Sequence, residues 1–182
     1  MSAIADPKDV LAFWRGAGPA KWFTKDDAFD AACRDSFLAT YEAAAAEHLN
    51  DWETTPEGTL ALVIVLDQFP RNMFRDNART YVADPLARAV ADRALARGID
   101  RELALTDRQF LYLPFEHSEH LADQERACAL FRATGDGELI KWAELHIEII
   151  RRFGRFPHRN KALGRASTVD EQVFLERGGF AG

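Results

Sequence analysis

Apolar residues recur every three or four positions along most of this 182-residue chain, a spacing that gathers them on one face of an α-helix. The segment 60–68 differs because it is apolar around its whole circumference, as expected for a buried helix. No stretch alternates between apolar and polar residues in the way a half-buried strand does. The pattern therefore predicts an all-α protein, with a core that includes Leu62, Ile64, Phe110, Leu113, Phe131, Ile147, Ile150 and Phe153. The longest apolar stripe comprises Phe29, Cys33, Phe37, Tyr41, Ala44 and His48.

Residues that favour helix ends divide the chain into seven or more predicted helices. Asp-Pro and Thr-Pro pairs, in which a capping side chain precedes a proline at the first helical position, mark three of the starts. Short turns imply antiparallel neighbours, packed as a bundle or an irregular α-solenoid in one domain, residues 1–182. The predicted starts are Asp6-Pro7, Thr24, Thr55-Pro56, Asp84-Pro85, Thr106 with Gln109, Ser118, Gly137 and Thr168 with Glu171. The predicted ends include Gly16, Gly98, Gly135, Gly154 and Gly178.

Composition narrows the functional classes. The net charge of −6 argues against a general attraction to nucleic acid or to an anionic membrane. The longest apolar run, 60–66, is too short to cross a bilayer, and the first ten residues do not resemble a signal peptide. Cys33 and Cys128 lie inside helical patterns, which favours reduced, buried thiols over a disulfide. We therefore predict a cytoplasmic protein with neither nucleic-acid nor membrane partners.

Three segments combine a proline with an unusual number of charged and polar residues beside apolar helices. They are 66–75, 113–120 and 153–165, which we name the first, second and third polar segments and interpret as helix junctions. In the first, helical spacing places the carboxylate of Asp67 on a buried face. Because a buried carboxylate requires an arginine or several hydrogen-bond donors, we predict that Asp67 is paired.

The second polar segment contains His117 and His120 together with two glutamates. Helical spacing predicts that His117 points inward with Gln124 and Cys128. The two histidines lack the tighter spacing of a His-Glu-x-x-His zinc motif, so we predict no metal site. His146 lies on the apolar face of a different predicted helix, where a hydrogen-bonded core histidine is expected.

The third polar segment is strongly basic within an acidic chain. Residues 151–165 contain five arginines, one lysine, one histidine and no acidic residue. Such a run is usually a solvated face, but Phe153, Phe156 and Leu163 interrupt it, and its arginines cluster around turns where side chains converge. Two interpretations therefore stay open: a solvated basic face, and a set of arginines gathered for binding.

Five blocks of this sequence resemble the signature of domain of unknown function family 924 (DUF924). The blocks are 66–72, 83–87, 110–119, 153–160 and 163–168. Together they extend the resemblance over essentially the whole chain. It implies an α/α superhelix of the tetratricopeptide-like kind and supplies no established activity. His120 stands where the family pattern has an acidic or amide residue, which argues further against a metal-binding histidine pair.

We predict that the three polar segments converge on one pocket that binds a small anionic ligand bearing a phosphate or carboxylate group. Arginine side chains bind both oxygens of such groups at once, and histidines with nearby carboxylates suit proton transfer near neutral pH. The candidate acid/base residues are Asp67, Glu116, His117 and His158. The candidate ligand-binding residues are Arg71, Asn72, Arg75, Gln124, Arg155, Arg159, Asn160 and Arg165.

The sequence leaves open whether the protein catalyses a reaction. It contains no activated-nucleophile motif and no phosphate-binding glycine loop, and we predict no cofactor. One alternative is a tetratricopeptide-like module whose groove binds an acidic peptide or chain terminus. Another is that the polar segments are internal ion-pair networks with no ligand. Arginines outnumber carboxylates in the candidate set, so a shared pocket would carry positive potential.

Overall fold

The structure is a computed structural model that describes residues 3–181, and no β-strand occurs among them. The prediction of an all-α fold is therefore confirmed, whereas the tetratricopeptide-like arrangement stays a prediction. The helices are α1 (Pro7–Ala17), α2 (Pro19–Trp22), α3 (Asp27–Ala45), α4 (Pro56–Val63), α5 (Phe69–Met73), α6 (Asp84–Ala96), α7 (Leu105–Glu116), α8 (Leu121–Thr134), α9 (Gly137–Phe153) and α10 (Val169–Glu176). A π-helical segment, Ile64–Gln68, joins α4 to α5. Short 3-10 turns comprise Asn50–Thr54, Ala78–Tyr81, Ile99–Glu102 and Pro157–Arg159.

The chain divides into two compact units. Unit 1 contains the residues up to Arg75 together with Arg79–Pro114, and unit 2 contains Asp76–Ala78 and the residues from Phe115 on. The first polar segment lies in unit 1, whereas the third and most of the second lie in unit 2. The organisation as a single domain stays a prediction.

Aromatic rings form much of the core of unit 1. Trp14, Phe69 and Phe110 are almost completely buried, and the rings of Trp22 and Phe110 meet edge to face with their centroids 5.0 Å apart. Burying one such side chain contributes about 2–3 kcal/mol to stability. The segment 60–68 is buried throughout, as its apolar pattern predicts.

Two of the three prolines lie inside helices, not at the predicted junctions. The helical path runs through Pro70 into α5, and Phe69 N–H bonds to the carbonyl of Ile64, five residues back. A proline lacks an N–H and its ring crowds the preceding turn, so the wider π-helical turn accommodates Pro70 without ending the helix. Pro114 likewise lies within α7. Only Pro157 follows a true helix end, because α9 stops at Phe153.

The start of α3 differs from the prediction at Thr24. The helix starts at Asp27, and the carboxylate of Asp26 accepts hydrogen bonds from the N–H groups of Ala28 and Phe29, both at 3.0 Å. A carboxylate that caps two N–H groups near the positive end of the helix dipole is favoured, which explains why Asp26 prevails over the threonine.

The starts predicted at Thr106 and Ser118 are also wrong. The N–H groups of Asp107 and Arg108 bond to the carbonyl of Ala104, which places the start of α7 at Leu105. Gln109 Nε2 donates to the Thr106 carbonyl at 2.7 Å, so Thr106 and Gln109 form no capping box. Ser118 Oγ accepts from the His120 N–H at 3.2 Å and shapes the turn before α8.

Two further signals differ from the prediction, because Asp84 is the first residue of α6 and not its cap, and Gly16 lies inside α1, which ends at Ala17. The following signals behave as predicted. Thr55 caps α4, and Thr168 with Glu171 forms a capping box on α10. Gly135 and Gly154 end their helices with φ values of 73° and 69°, a left-handed conformation that favours glycine. The predicted core residues that are buried are Leu62, Ile64, Phe110, Leu113, Phe131, Ile147 and Ile150.

Phe153, also predicted to be core, is only partly buried and packs against Phe174 with a centroid distance of 5.1 Å. Cys33 and Cys128 are buried and free, as predicted. None of the helices within residues 3–181 has the length and apolar character needed to cross a membrane.

Candidate functional site

Glu119 joins the second and third polar segments within unit 2. Its carboxylate accepts hydrogen bonds from Arg165 Nη1 at 2.7 Å and Nη2 at 2.9 Å, and from the N–H of Phe156 at 2.8 Å. Burial alone would raise the pKa of Glu119, but the hydrogen bonds from Arg165 and Phe156 outweigh it and hold the pKa below its usual value. Two segments 37 residues apart in sequence are thereby fixed against each other.

A second group of hydrogen bonds, centred on Glu171, holds the third polar segment to α10. Arg155 donates to Glu171 through Nε at 2.6 Å and Nη2 at 2.8 Å, while Asn160 Nδ2 and the Thr168 N–H bind the same carboxylate. These hydrogen bonds, chiefly those from Arg155, lower the pKa of Glu171 from 4.5 to about 2. Asn160 Oδ1 also accepts from Arg165 Nε at 3.0 Å, which links the hydrogen bonds around Glu171 to those around Glu119.

Phe156 lies at the centre of a group that we name the histidine cluster. Its ring is fully buried, and the Arg159 guanidinium lies 4.5 Å from the ring centroid. The rings of His146 and His158 lie 5.5 and 5.6 Å from the same centroid. The cluster comprises Glu116, His146, Phe156, His158 and Arg159.

Glu116 and His146 form a buried carboxylate–histidine pair. His146 Nδ1 lies 2.8 Å from the carbonyl oxygen of Trp142 and 3.3 Å from Glu116 Oε1, and both side chains are almost fully buried. Because a carbonyl oxygen only accepts hydrogen bonds, Nδ1 must carry a proton. In the neutral ring the lone pair therefore belongs to Nε2, so the surroundings select one tautomer. His146 is a buried, hydrogen-bonded histidine as predicted, but its pairing with Glu116 was not predicted.

In unit 1, Asp67 is completely buried and paired, as predicted. Gln68 Nε2 donates to its carboxylate at 2.6 Å, and Arg71 Nη1 lies 3.5 Å from Oδ1. Arg71 also binds Asp84 through two hydrogen bonds of 3.0 and 3.1 Å. Burial opposes the charge on Arg71, but Asp67 and Asp84 outweigh that effect and raise its pKa. Asp84, predicted as a helix cap, is instead the first residue of α6.

The other ligand-binding candidates of the first polar segment contact α3. Asn72 Nδ2 donates to Asp30 Oδ1 at 2.8 Å, and Arg75 binds both oxygens of the same carboxylate. The arginines of this segment are thus held by carboxylates, an arrangement that suits the interpretation as an internal ion-pair network. The convergence of all three polar segments on one pocket stays a prediction.

Two candidates surround the turn between α7 and α8. His117 is half-buried in the turn itself and not on α8, so the helical spacing assumed for it does not apply. Gln124 is fully buried, and its Nε2 donates to the carbonyls of Glu116 and Ser118. Its Oε1 is buried with no hydrogen-bond partner among residues 3–181. Gln124 therefore fixes the position of the backbone at Glu116.

A surface cleft of about 330 Å³ lies between α8 and α9. Its lining includes Glu125, the Arg132–Glu144 pair at 2.7 Å and the Arg151–Glu148 pair at 2.6 Å. The cleft thus presents three carboxylates and two guanidinium groups. None of the ligand-binding candidates lies among the described residues that line it.

Sequence comparison settles the family. A family model described as bacterial protein of unknown function (DUF924) matches residues 10–179. The chain belongs to the DUF924 family. It is also similar to a solved structure of a protein of unknown function, ATU0120 from Agrobacterium tumefaciens, with a TM-score of 0.91 and 48% identity over 94% of this chain and 97% of that one. No curated protein matches. Membership in DUF924 assigns no activity, so the chemistry has to be argued from the geometry.

Sequence reasoning missed several partners in this DUF924 protein. Asp30 and Glu171 each bind an arginine from the candidate set, but no sequence signal marked Asp30, and Glu171 was predicted only as a capping residue. His146 gave only the signal of a core histidine, and its partner Glu116 is distant in sequence. Phe180, whose ring lies 4.5 Å from that of His146, gave no signal.

Proposed function

We propose that the protein binds a small anionic ligand at the histidine cluster of unit 2 and that the Glu116–His146 pair exchanges a proton with it. The observation that carries this proposal is the single tautomer selected for His146 by its contacts with Trp142 and Glu116. His146 and the Arg159 guanidinium both contact the ring of Phe156, so the two side chains belong to one cluster. Acid/base chemistry at the cluster is a part of the proposal that a binding experiment can test separately.

The Glu116–His146 pair has the arrangement of a histidine prepared for proton transfer. A carboxylate near Nδ1–H orients the ring and increases the basicity of the other nitrogen. Nε2 is then the atom that accepts a proton from a ligand or hydrogen-bonds to it. Gln124 supports this geometry because it binds the backbone carbonyl of Glu116.

Arginines of the third polar segment supply donors for the anionic group. Arg155 uses Nε and Nη2 for Glu171 and the Ala166 carbonyl, and within the described chain its Nη1 makes no hydrogen bond. Its side chain is 28% exposed, so two N–H groups can reach an incoming oxygen. Arg159 adds a second guanidinium at the cluster itself. A phosphate or carboxylate group suits these donors.

The charge of the α8–α9 cleft bears on the alternative of an acidic peptide. Three carboxylates against two guanidinium groups disfavour a negatively charged segment there. This supports a small ligand at the histidine cluster over an acidic peptide in that groove.

Thermal unfolding with inorganic phosphate tests the binding. If the dissociation constant is about 1 mM, about 10 mM phosphate should stabilise the protein by about 1.4 kcal/mol and raise Tm by about 3 °C. Arg155→Gln and Arg159→Gln should lose most of this shift. Arg132→Gln, which removes an exposed arginine paired with Glu144, is the matched control and should keep it. A wild-type Tm that does not respond to phosphate would contradict the proposal.

Calorimetry tests the proton exchange. Phosphate binding measured in two buffers of different ionisation enthalpy reports the number of protons taken up or released. His146→Gln should retain binding within about threefold but change the number of protons exchanged, because Gln cannot titrate while phosphate itself still can. An equal proton count in wild type and variant would remove the role assigned to His146.

A further inference from the structure

After α10, the chain places the ring of Phe180 against His146 and His158 of the histidine cluster. Gly178 has φ 79°, and a Cβ on Gly179 would lie 2.6 Å from the ring and the carbonyl oxygen of Phe174. Only glycines allow the chain to turn this closely past Phe174. The turn therefore directs Phe180 back towards α9.

Three rings surround the side chain of Phe180. Its centroid lies 4.5 Å from that of His146, 5.2 Å from that of His158 and 6.3 Å from that of Trp142, with interplanar angles between 58° and 82°. Such tilted and edge-to-face contacts suit a flat aromatic ring in general, and nothing in them is specific for phenylalanine. The position of Phe180 is therefore a ring-binding position between two histidines and a tryptophan.

The attachment of Phe180 is weak compared with its surroundings. Its ring is only partly buried, and within the described chain neither the Phe180 N–H nor the Ala181 N–H makes a hydrogen bond. Among the described residues, ring and apolar contacts hold the side chain of Phe180, so that side chain can leave its position without breaking a backbone hydrogen bond of its own residue. Trp142 is 44% exposed, which leaves one wall of the position open to solvent.

We propose that Phe180 occupies the subsite for a planar ring of the ligand and leaves it when the ligand binds. The ligand is then an aromatic or heteroaromatic phosphate or carboxylate, with its ring between His146 and His158 and its anionic group on the arginines of the third polar segment. This inference rests on the proposed function, because that function supplies the anionic contact. It adds the chemical class of the remaining part of the ligand.

The proposal predicts how Phe180 affects the affinity of the protein for ligands with and without a ring. A ligand that needs the open form binds with an affinity reduced by the fraction of molecules that are open. Removing the phenyl ring abolishes this cost for a ring-bearing anion but leaves an anion without a ring unaffected. The two ligand types therefore separate a specific subsite from a general effect on stability.

Calorimetric titration with phenyl phosphate and with inorganic phosphate is the test. Phe180→Ala should tighten phenyl phosphate binding about tenfold and change inorganic phosphate binding by less than about twofold. Phe180→Leu, which keeps an apolar side chain, should give an intermediate value and serves if the alanine variant unfolds. Phe23→Ala removes a ring that is 62% exposed in unit 1 and should change neither affinity.

The outcomes distinguish this inference from the function on which it rests. Inorganic phosphate binding that depends on Arg155 and Arg159, without a gain for phenyl phosphate in Phe180→Ala, would overturn the ring subsite alone. Failure of both ligands to bind wild type and Phe180→Ala would overturn the proposed function as well. A gain for both ligands in Phe180→Ala would assign Phe180 a general covering role and would also overturn the ring subsite.

Discussion

Replacing Glu171 with Gln should weaken unit 2 through the loss of one charge. The carboxylate is 2% exposed and accepts hydrogen bonds from Arg155, Asn160 and Thr168. Its pKa falls from 4.5 to about 2, which corresponds to about 3 kcal/mol of stabilisation of the charged form. Because the side chain of Arg155 is 28% exposed, solvent weakens the pair, and we expect Glu171→Gln to lower the free energy of unfolding by about 2 kcal/mol at pH 7.

The lowered pKa of Glu171 also predicts how the stability difference between wild type and Glu171→Gln changes with pH. The folded pKa lies below the unfolded one, so the stabilisation is complete above about pH 5 and is lost as the pH falls towards 2. The difference between wild type and Glu171→Gln should therefore shrink from about 2 kcal/mol at pH 7 to about 1 kcal/mol at pH 3.5. Urea unfolding monitored by the ¹⁹F resonance of 5-fluorotryptophan at Trp142, the only tryptophan after residue 114, reports on unit 2.

Glu144→Gln is the matched control. Glu144 and Arg132 form an ion pair at 2.7 Å on the surface, with side chains 50% and 59% exposed, and such pairs contribute about 0.5 kcal/mol. The reasoning is refuted if Glu171→Gln costs no more than Glu144→Gln. It is also refuted if the cost of Glu171→Gln is the same at pH 3.5 and pH 7.

Two further predictions concern buried groups of unit 1. Asp67→Ala should lower the free energy of unfolding by about 3 kcal/mol, because it removes one of the two carboxylates that hold Arg71 in the interior. Urea unfolding followed by tryptophan fluorescence measures this loss, and a loss below about 1 kcal/mol contradicts the prediction. Burial, followed by the nearby charge of Asp30, raises the pKa of the Cys33 thiol, so it should not react with a disulfide reagent at pH 8 until the protein is unfolded. Reaction of the folded protein at the rate seen in urea would show that this thiol is accessible.

Local signals in the sequence predicted most of the helices. Thr168 and Glu171 supply both halves of a capping box within four residues, and Gly154 supplies the left-handed end of α9, so no distant partner is needed. The wrong starts arose where several capping residues lie close together, as at Thr24 and Asp26. There the choice depends on which side chain reaches the free N–H groups, and the hydrophobic pattern does not encode that geometry.

Pro70 shows a different limit. A proline after an apolar helix is usually a sign that the helix ends, and that rule gave the predicted junction. The helix instead widens into a π-helical segment at Ile64–Gln68 and continues through the proline. The apolar surroundings of this segment favour a buried, continuous helix, and this tertiary contribution outweighs the local preference.

The candidate site could be predicted by residue type but not by pairing. The sequence identified Arg71, Arg75, Arg155 and Arg165 as candidate side chains for binding an anionic ligand. Charges within the three polar segments suggested an excess of positive potential, which remains a prediction. The structure adds carboxylates from outside those segments, since Asp30 binds Arg75, Asp84 binds Arg71 and Glu171 binds Arg155.

This pairing has a consequence for how a ligand can bind. An anion at the third polar segment meets guanidinium groups whose charge is already balanced by Glu119 and Glu171, so its electrostatic gain is small and a bare anion should bind weakly. Specificity must then come from contacts that the carboxylates do not make. Those contacts are the selected tautomer of His146 and the ring position now held by Phe180. A ligand that combines an anionic group with a planar ring would use both, whereas inorganic phosphate would leave the ring position to Phe180.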